Sequence, residues 1–311
     1  MASTTLRRPE NAAGDLYVDS TCIDCDTCRW MAPATFDRAG DQSRVFHQPG
    51  TPEEQKRALM ALIACPTASI GDAAHHDLKL ALAALPDRLA DLDGVAVGEG
   101  APVRQPTEGA TGVYHCGYHA EESFGAASYL LVRPGGNVLV DSPRFAAPLV
   151  KRIEALGGVR WLFLTHKDDV ADHEKFARHF GCARVLHAGD VTAGTRGIER
   201  VIEGGEPVAL EPDLLVIPTP GHTEGSACLL ARETFLFTGD HLAWSARRGH
   251  IIGFRDACWF DWSQVVESTR RLQARTFSWL LPGHGRRCHF APEEMARQMQ
   301  RCVEWMAGAA R

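Results

Sequence analysis

From about residue 110 onward, short apolar runs each end in a polar, glycine-flanked turn. Val138-Leu139-Val140 meets Asp141, and Trp161-Leu162-Phe163-Leu164 meets Thr165-His166. Leu214 to Ile217 leads to Thr219-Pro220-Gly221-His222, Phe235-Leu236-Phe237 runs to Gly239-Asp240, and Trp279-Leu280-Leu281 runs to Gly283-His284. Apolar runs of this length bounded by turn residues predict strands. Five strands therefore deliver a His or an Asp just past their carboxyl ends, where layered α/β folds place their sites. A further strand is predicted from Ser128 to Val132. Between the strands, apolar residues recur at helical spacing over Phe145 to Leu156, Trp262 to Arg275 and Pro292 to Met306. In the last of these, Met295, Met299, Cys302 and Met306 form one stripe, which reads as core.

The amino-terminal part has a different pattern. Leu16-Tyr17-Val18 predicts a short strand running into a tight loop with Cys22, Cys25 and Cys28 in C-x-x-C-x-x-C spacing. A helix start is marked by Thr51, by Pro52 at the first helical position and by Glu54 completing a T-x-x-E capping box; Cys65 ends the helix and Pro66 stops it. A helical stretch follows around Leu78 to Leu92, interrupted by Pro86. After it, Gly94, Gly98, Gly100, Pro102 and Pro106 read as an irregular linker. The expected organisation is a cysteine-bearing domain over 1–75, a helix and linker over 76–109, and an α/β domain over 110–311.

Composition narrows the function classes. The 311 residues are 45% hydrophobic and 23% charged, which is an ordinary globular composition and excludes disorder and collagen-like repeats. Lys plus Arg is 33 against 39 Asp plus Glu, a net charge of −6, and no stretch gathers enough positive charge to track a phosphate backbone. Nucleic acid is not an expected partner. The apolar runs are strand-sized rather than membrane-spanning, and Met1 to Glu10 lacks the apolar middle of a secretory signal, so the expectation is a cytoplasmic protein without a membrane partner. Of ten Cys, four are patterned; Cys116, Cys182, Cys228, Cys258, Cys288 and Cys302 sit singly and read as small buried hydrophobes.

The cysteine loop points three thiolates at one spot. In two-cluster ferredoxins a fourth Cys follows four residues after the third and serves the other cluster, but that position is Ala32 here. Cys65 is then the fourth ligand. A structural zinc site would normally show two separate C-x-x-C pairs. Residues 14 to 72 resemble single-cluster bacterial ferredoxins, and the resemblance implies a 4Fe-4S cluster held by Cys22, Cys25, Cys28 and Cys65 that carries single electrons.

The five strand-end turns, in their order, resemble the metallo-β-lactamase superfamily, and the resemblance covers about residues 110 to 290. It implies an αββα sandwich holding one or two divalent metals and acting on a small-molecule substrate. In the segment Thr165-His166-Lys167-Asp168-Asp169-Val170-Ala171-Asp172-His173, the middle His of the family's H-x-H-x-D-H is missing and two extra residues intervene. Carried over residue by residue, the first metal takes His166, His222 and Asp168, the second takes Asp172, His173 and His284, and Asp240 bridges them. The two-residue insertion leaves Asp169 as the alternative to Asp168. Asp141 braces the site through hydrogen bonds.

An added carboxylate hardens the site and favours iron over zinc, with manganese also compatible; the flavodiiron branch is similar in this respect. Asp168, Asp240 and His119 are the expected catalytic side chains, His119 and Tyr118 reaching over the site from a hairpin. His241 is expected behind the site rather than on the metal, and His75 and His76 exposed. The resulting expectation is a non-haem di-iron oxidoreductase fed by its own 4Fe-4S domain, with room for a redox partner protein. The alternative is a thioester or lactone hydrolase of the glyoxalase II kind, in which metals make hydroxide from bound water. A third reading, a redox-responsive binding protein, leaves many buried polar groups without a metal to satisfy them. The substrate is not legible, and no G-x-G-x-x-G signature points to a built-in nucleotide cofactor.

Overall fold

The computed structural model describes residues 2–97 and 111–309. Two sheets face each other. One has seven strands in the order Arg200–Ile202, Ala183–His187, Trp161–Phe163, Val138–Val140, Tyr129–Val132, Gly112–His115 and Asp87–Ala90. Its first four strands are parallel and the remainder antiparallel. The other has six strands in the order Val208–Glu211, Leu214–Pro218, Ala227–Ala231, Phe235–Gly239, Trp279–Pro282 and Cys288–His289. Strands buried on both faces read as continuous apolar runs, which is why Phe235-Leu236-Phe237 and Val138-Leu139-Val140 show no alternation.

The layers follow from which side chains each strand sends to each side. Val138, Val140, Phe163, Val216, Leu229, Phe235, Phe237 and Leu281 fill the space between the sheets. Behind the six-stranded sheet, Leu230, Leu236 and Leu280 pack with Val265 and Leu272 of the helix Trp262–Gln273 and with the stripe Met295, Met299, Cys302 and Met306 of Pro292–Ala309. Behind the seven-stranded sheet, Leu130, Leu139 and Leu162 pack against Leu149, Val150 and Ile153 of Ala147–Ala155 and Phe176 of His173–Phe180. The result is the expected αββα sandwich. Five of the six scattered cysteines are buried; Cys258 is half-buried, and all ten thiols are free.

One expectation about the connection is corrected. The helix predicted over Leu78 to Leu92 is a single turn and a half, Lys79–Ala83. Pro86 lacks an amide proton and drives the preceding residue out of helical conformation. The chain then forms the edge strand Asp87–Ala90, which pairs Asp87 with His115 and Arg88 with Tyr114. The later half of the predicted helix is thus sheet. Of the expected linker, Gly98 to Gly109 lies outside the described residues. The cysteine-bearing part and the sandwich share an apolar cluster. Leu59, Met60 and Ile70 from the cysteine-bearing part join Tyr114, Cys116 and Leu130 of the sheet in one apolar cluster, so this part shares the outer face of the seven-stranded sheet with the helices. Among the described residues, no helix is long and apolar enough to cross a membrane.

Candidate functional site

The cysteine loop is shaped by charge and backbone. Asp24 and Asp26 adopt left-handed conformations at φ 61° and 67°, and the Arg29 guanidinium ties both, with Nη1 2.6 Å from Asp24 Oδ1 and Nε 2.5 Å from Asp26 Oδ1. The helix Pro52–Ala64 begins with the capping box of Thr51 and Glu54 and ends at Cys65. Cys22, Cys25, Cys28 and Cys65 line one small cavity with Ile23, Thr27 and Pro66. Burial pushes the Cys25 thiol up to about 11 and the Cys28 thiol higher still. Four facing sulfurs in an apolar cradle are costly to ionise without metal to neutralise them, and so fit an iron–sulfur cluster.

The second centre forms between the carboxyl ends of strands from both sheets. His166 Nε2 and His222 Nε2 lie 3.9 and 3.8 Å from Asp168 Oδ2, and 3.8 and 3.7 Å from Asp240 Oδ2. His284 Nε2 lies 3.8 Å from the same Asp240 oxygen. His166, Asp168 and His222 can present one ligand atom each within 4.8 Å of one another, as can His166, Asp169 and Asp240.

The tautomers of both buried histidines are set from behind. His222 Nδ1 donates to Ala257 O at 2.6 Å. The Thr165 hydroxyl donates to Asp141 at 3.0 Å, so it accepts from His166 Nδ1, also at 3.0 Å. Each Nε2 is thereby left as a bare lone pair aimed at the centre. His166 Nε2, His222 Nε2, Asp240 Oδ1 and Asp169 Oδ2 are buried and have no hydrogen-bond partner. Converging acceptors with nothing to donate to them fit a cation. The charge balance agrees. Burial, with Asp240, Asp141 and Asp168 nearby, holds Asp169 well above the usual carboxylate range, and burial lifts Asp141 to about 8. Burial also opposes ionisation of Asp240, but the imidazoles of His284, His166 and His222 outweigh it and hold this carboxyl low.

Asp172 and His173 do not join this centre. Asp172 stands just before the helix His173–Phe180, and its carboxylate accepts from Phe145 N at 2.8 Å and pairs with Lys175 Nζ at 2.6 Å rather than capping the helix. His173 is used at both ring nitrogens, with Gly194 O at 3.3 Å and Arg184 Nη1 at 3.3 Å. The chain turns before reaching them, because Ala171 sits in a strained positive-φ conformation at the helix start. Asp169 is the carboxylate brought into the centre in their place. It is buried, whereas the Asp168 side chain is 47% exposed and marks the open side.

His119 is likewise not at the site opening. It is fully buried, with Nδ1 on Gly125 O at 2.6 Å and Nε2 on His115 Nε2 at 2.8 Å. Tyr118 is buried beside it. His241 reaches Thr269 Oγ1 at 3.1 Å, behind the centre. His75 is exposed, while His76 is half-buried on Asp72 at 2.8 Å.

One residue was missed. Asp190, fully buried, accepts from Lys167 N at 3.0 Å and Thr223 Oγ1 at 2.6 Å through one oxygen, and from Gly225 N at 2.9 Å through the other. It locks the loop carrying His166 and Asp168 to the loop carrying His222. The signal in the sequence was slight: an Asp beside Gly189, after the strand ending at His187.

The two metal-type sites share a wall. A Cβ placed on Gly125 would stand 2.8 Å from Cys25 Cβ and 3.1 Å from Pro66 Cγ. The adjacent Phe124 ring lies 6.1 Å, centroid to centroid, from His284. Loop residues 124 and 125 thus touch a cysteine of the cradle on one side and a histidine of the second centre on the other.

Two family descriptions match separate stretches of the chain. Residues 18–72 match the description "4Fe-4S single cluster domain of Ferredoxin I", and residues 113–286 match "Metallo-beta-lactamase superfamily". The chain is 33% identical over 149 residues to a hydroxyacylglutathione hydrolase of Rhodospirillum rubrum, covering 46% of this chain and 54% of that protein. It is 30% identical over 119 residues to one of Acidiphilium cryptum, covering 37% and 48%. The chain therefore spans about half the length of the curated relatives it matches. Among solved structures, a metallo-β-lactamase superfamily protein of Sulfolobus tokodaii is similar at TM-score 0.44 and 19% identity over 63% of this chain and 86% of that one. ETHE1 from Myxococcus xanthus is similar at TM-score 0.44 and 21% identity over 60% and 83%. With more than half of its length matched and with paired sheets delivering His and Asp to one centre, this chain belongs to the metallo-β-lactamase superfamily and carries a single-cluster 4Fe-4S domain before the sandwich.

Proposed function

We propose that this metal-dependent enzyme is an oxidoreductase whose histidine–aspartate centre holds non-haem iron and receives electrons from the 4Fe-4S cluster. The observation that carries the reading is the shared wall, with Gly125 against Cys25 and Phe124 against His284. A cluster whose cradle abuts the active centre is well placed as its donor. When bound, the cluster supplies single electrons, and iron supplies a centre able to accept them. His166, Asp168 and His222 are the ligands proposed for one metal, and Asp169 and His284 for the other, with Asp240 between. Three carboxylates among six ligands make a hard donor set, which favours iron or manganese over zinc.

The remaining residues hold and shape. Thr165 and Ala257 keep the lone pairs of His166 and His222 turned inward, and Asp190 keeps their loops in register. Trp259, 67% exposed, lies against His222, and Phe124 lies against His284. An apolar part of a small substrate would rest on these two rings while its polar end faces the centre. For domain organisation, the sandwich is proposed to begin at the edge strand Asp87–Ala90, with the cysteine-bearing domain before residue 76.

A second reading has its own support in the similarity to two hydroxyacylglutathione hydrolases. There the centre would activate water toward a thioester and the cluster would prop or sense. One experiment separates them. Protein purified without oxygen is assayed for iron and zinc, its cluster is reduced chemically, and reoxidation on adding oxygen is followed in the wild type and His222→Ala. Iron beyond one cluster, with reoxidation slowed in His222→Ala, supports the redox reading. Zinc filling the centre, with thioester hydrolysis unaffected by Cys25→Ser, overturns it.

A further inference from the structure

Thr27 sits in the cysteine loop between two cluster ligands, and its hydroxyl has three neighbours: Cys25 Sγ at 3.4 Å, His119 Nδ1 at 3.2 Å and Gly125 O at 3.4 Å. Their chemistry orders the protons. Gly125 O can only accept, and His119 Nδ1 stands 2.6 Å from it, so Nδ1 carries a hydrogen. The same N–H is near enough to Thr27 Oγ1 to be shared with it. Thr27 is then an acceptor toward His119 and still has one proton to donate. Gly125 O, 3.4 Å from the hydroxyl, is a neutral acceptor that also takes the shorter bond from His119, whereas Cys25, as a cluster thiolate at the same distance, is a charged and therefore stronger acceptor.

We propose that Thr27 and His119 form a two-residue device that sets the cluster's reduction potential: His119, from the sandwich, orients Thr27 so that its hydroxyl donates to Cys25 Sγ. A hydrogen bond to a cluster sulfur stabilises the more negative, reduced state and raises the potential. His119 is in this sense a positioning residue, acting on the cluster through Thr27. It is itself fixed by Gly125 O on one side and His115 Nε2 on the other, and the Trp30 and His115 rings meet edge to face with 4.9 Å between centroids. The sandwich thereby tunes a cofactor bound by the other part of the chain. The inference rests on the cluster assignment, and it stands whether the second centre reduces a substrate or hydrolyses one.

The test is an anaerobic redox titration of the full chain, with the reduced cluster followed by electron paramagnetic resonance and iron counted per chain. Thr27→Val should lower the potential at full cluster content, by about tenfold in the oxidised-to-reduced ratio at a fixed poise, which is about 59 mV for one electron. Thr27→Ser, which keeps the hydroxyl, should restore it. His119→Leu should shift the potential in the same direction, and His119→Asn, which keeps a donor near Nδ1, should shift it less. The double variant Thr27→Val/His119→Leu should move no further than Thr27→Val alone, because both remove the same hydrogen bond. An unchanged potential in Thr27→Val with the cluster present would overturn the proposal, as would additive shifts in the double variant. Should His119→Leu fail to assemble the cluster, the Thr27→Val and Thr27→Ser pair decides alone.

Discussion

Gly125 is pressed against Cys25: a Cβ at position 125 would lie 2.8 Å from Cys25 Cβ and 3.0 Å from its sulfur, and the glycine has φ +83°. Both the space and the backbone conformation exclude a side chain. Gly125→Ala should therefore displace the cysteine loop and reduce cluster content to well under half of wild type, measured as iron and sulfide per chain. Wild-type cluster content in Gly125→Ala would show that the two parts are not held as closely as this contact requires.

Asp169 and Asp172 are three residues apart and have different work. Asp169→Ala should reduce metal bound at the second centre with little change in unfolding midpoint. Asp172→Ala should leave metal content intact and cost about 1 kcal/mol of stability, because it removes the acceptor for Phe145 N and the partner of Lys175. Metal analysis and urea unfolding of both variants decide this; metal loss in Asp172→Ala alone would return the ligand role to the position expected from the motif.

Asp190 should behave as a support for ligands it does not join. Asp190→Ala removes the acceptor shared by Lys167 N, Thr223 Oγ1 and Gly225 N. Losing such a partner typically weakens metal binding about 10- to 100-fold. Competition with a chelator measures it. Unaltered affinity in a folded variant would mean that the two loops are held by other contacts.

Burial gives the protein an acid-side weakness. Burial, chiefly, lowers His119 to about 4 and His115 well below the ordinary histidine value, so both are neutral when folded and able to protonate when unfolded. The unfolded chain then binds more protons below its own histidine pKa of about 6.5. Stability from this pair is complete above that pH and declines as pH falls toward 4, by about 1.4 kcal/mol per pH unit for each histidine. Urea midpoints at pH 7.5 and 5.5, compared between wild type and His115→Phe, test the sign: the variant should lose less on acidification.

Much of this protein is legible in local pattern. The cysteine spacing, the Thr51-Pro52-Glu54 helix start and the apolar runs ending in His or Asp report themselves because each depends on neighbours within a few residues. The histidines His166, His222 and His284, and Asp240 which all three face, could be anticipated in the same way, since a strand end dictates where the next side chain goes. Asp172 and His173 could not be separated from Asp169 on that basis. A motif interrupted by two residues has several registers, and the choice was made by the turn at Ala171, which hands Asp172 to the backbone of Phe145 and His173 to Arg184. His119 looked like a residue of the site opening because its loop does reach the centre; the fold instead buries it on Thr27 and Gly125, contacts spanning 92 and 6 residues of chain. Asp190 gave almost no local sign, because its three donors come from two other loops. Ligand types are written in short-range spacing. Which carboxylate reaches the metal, and which histidine faces the cluster, depends on packing between segments far apart in the chain, where burial leaves a polar atom only the partners that the fold supplies.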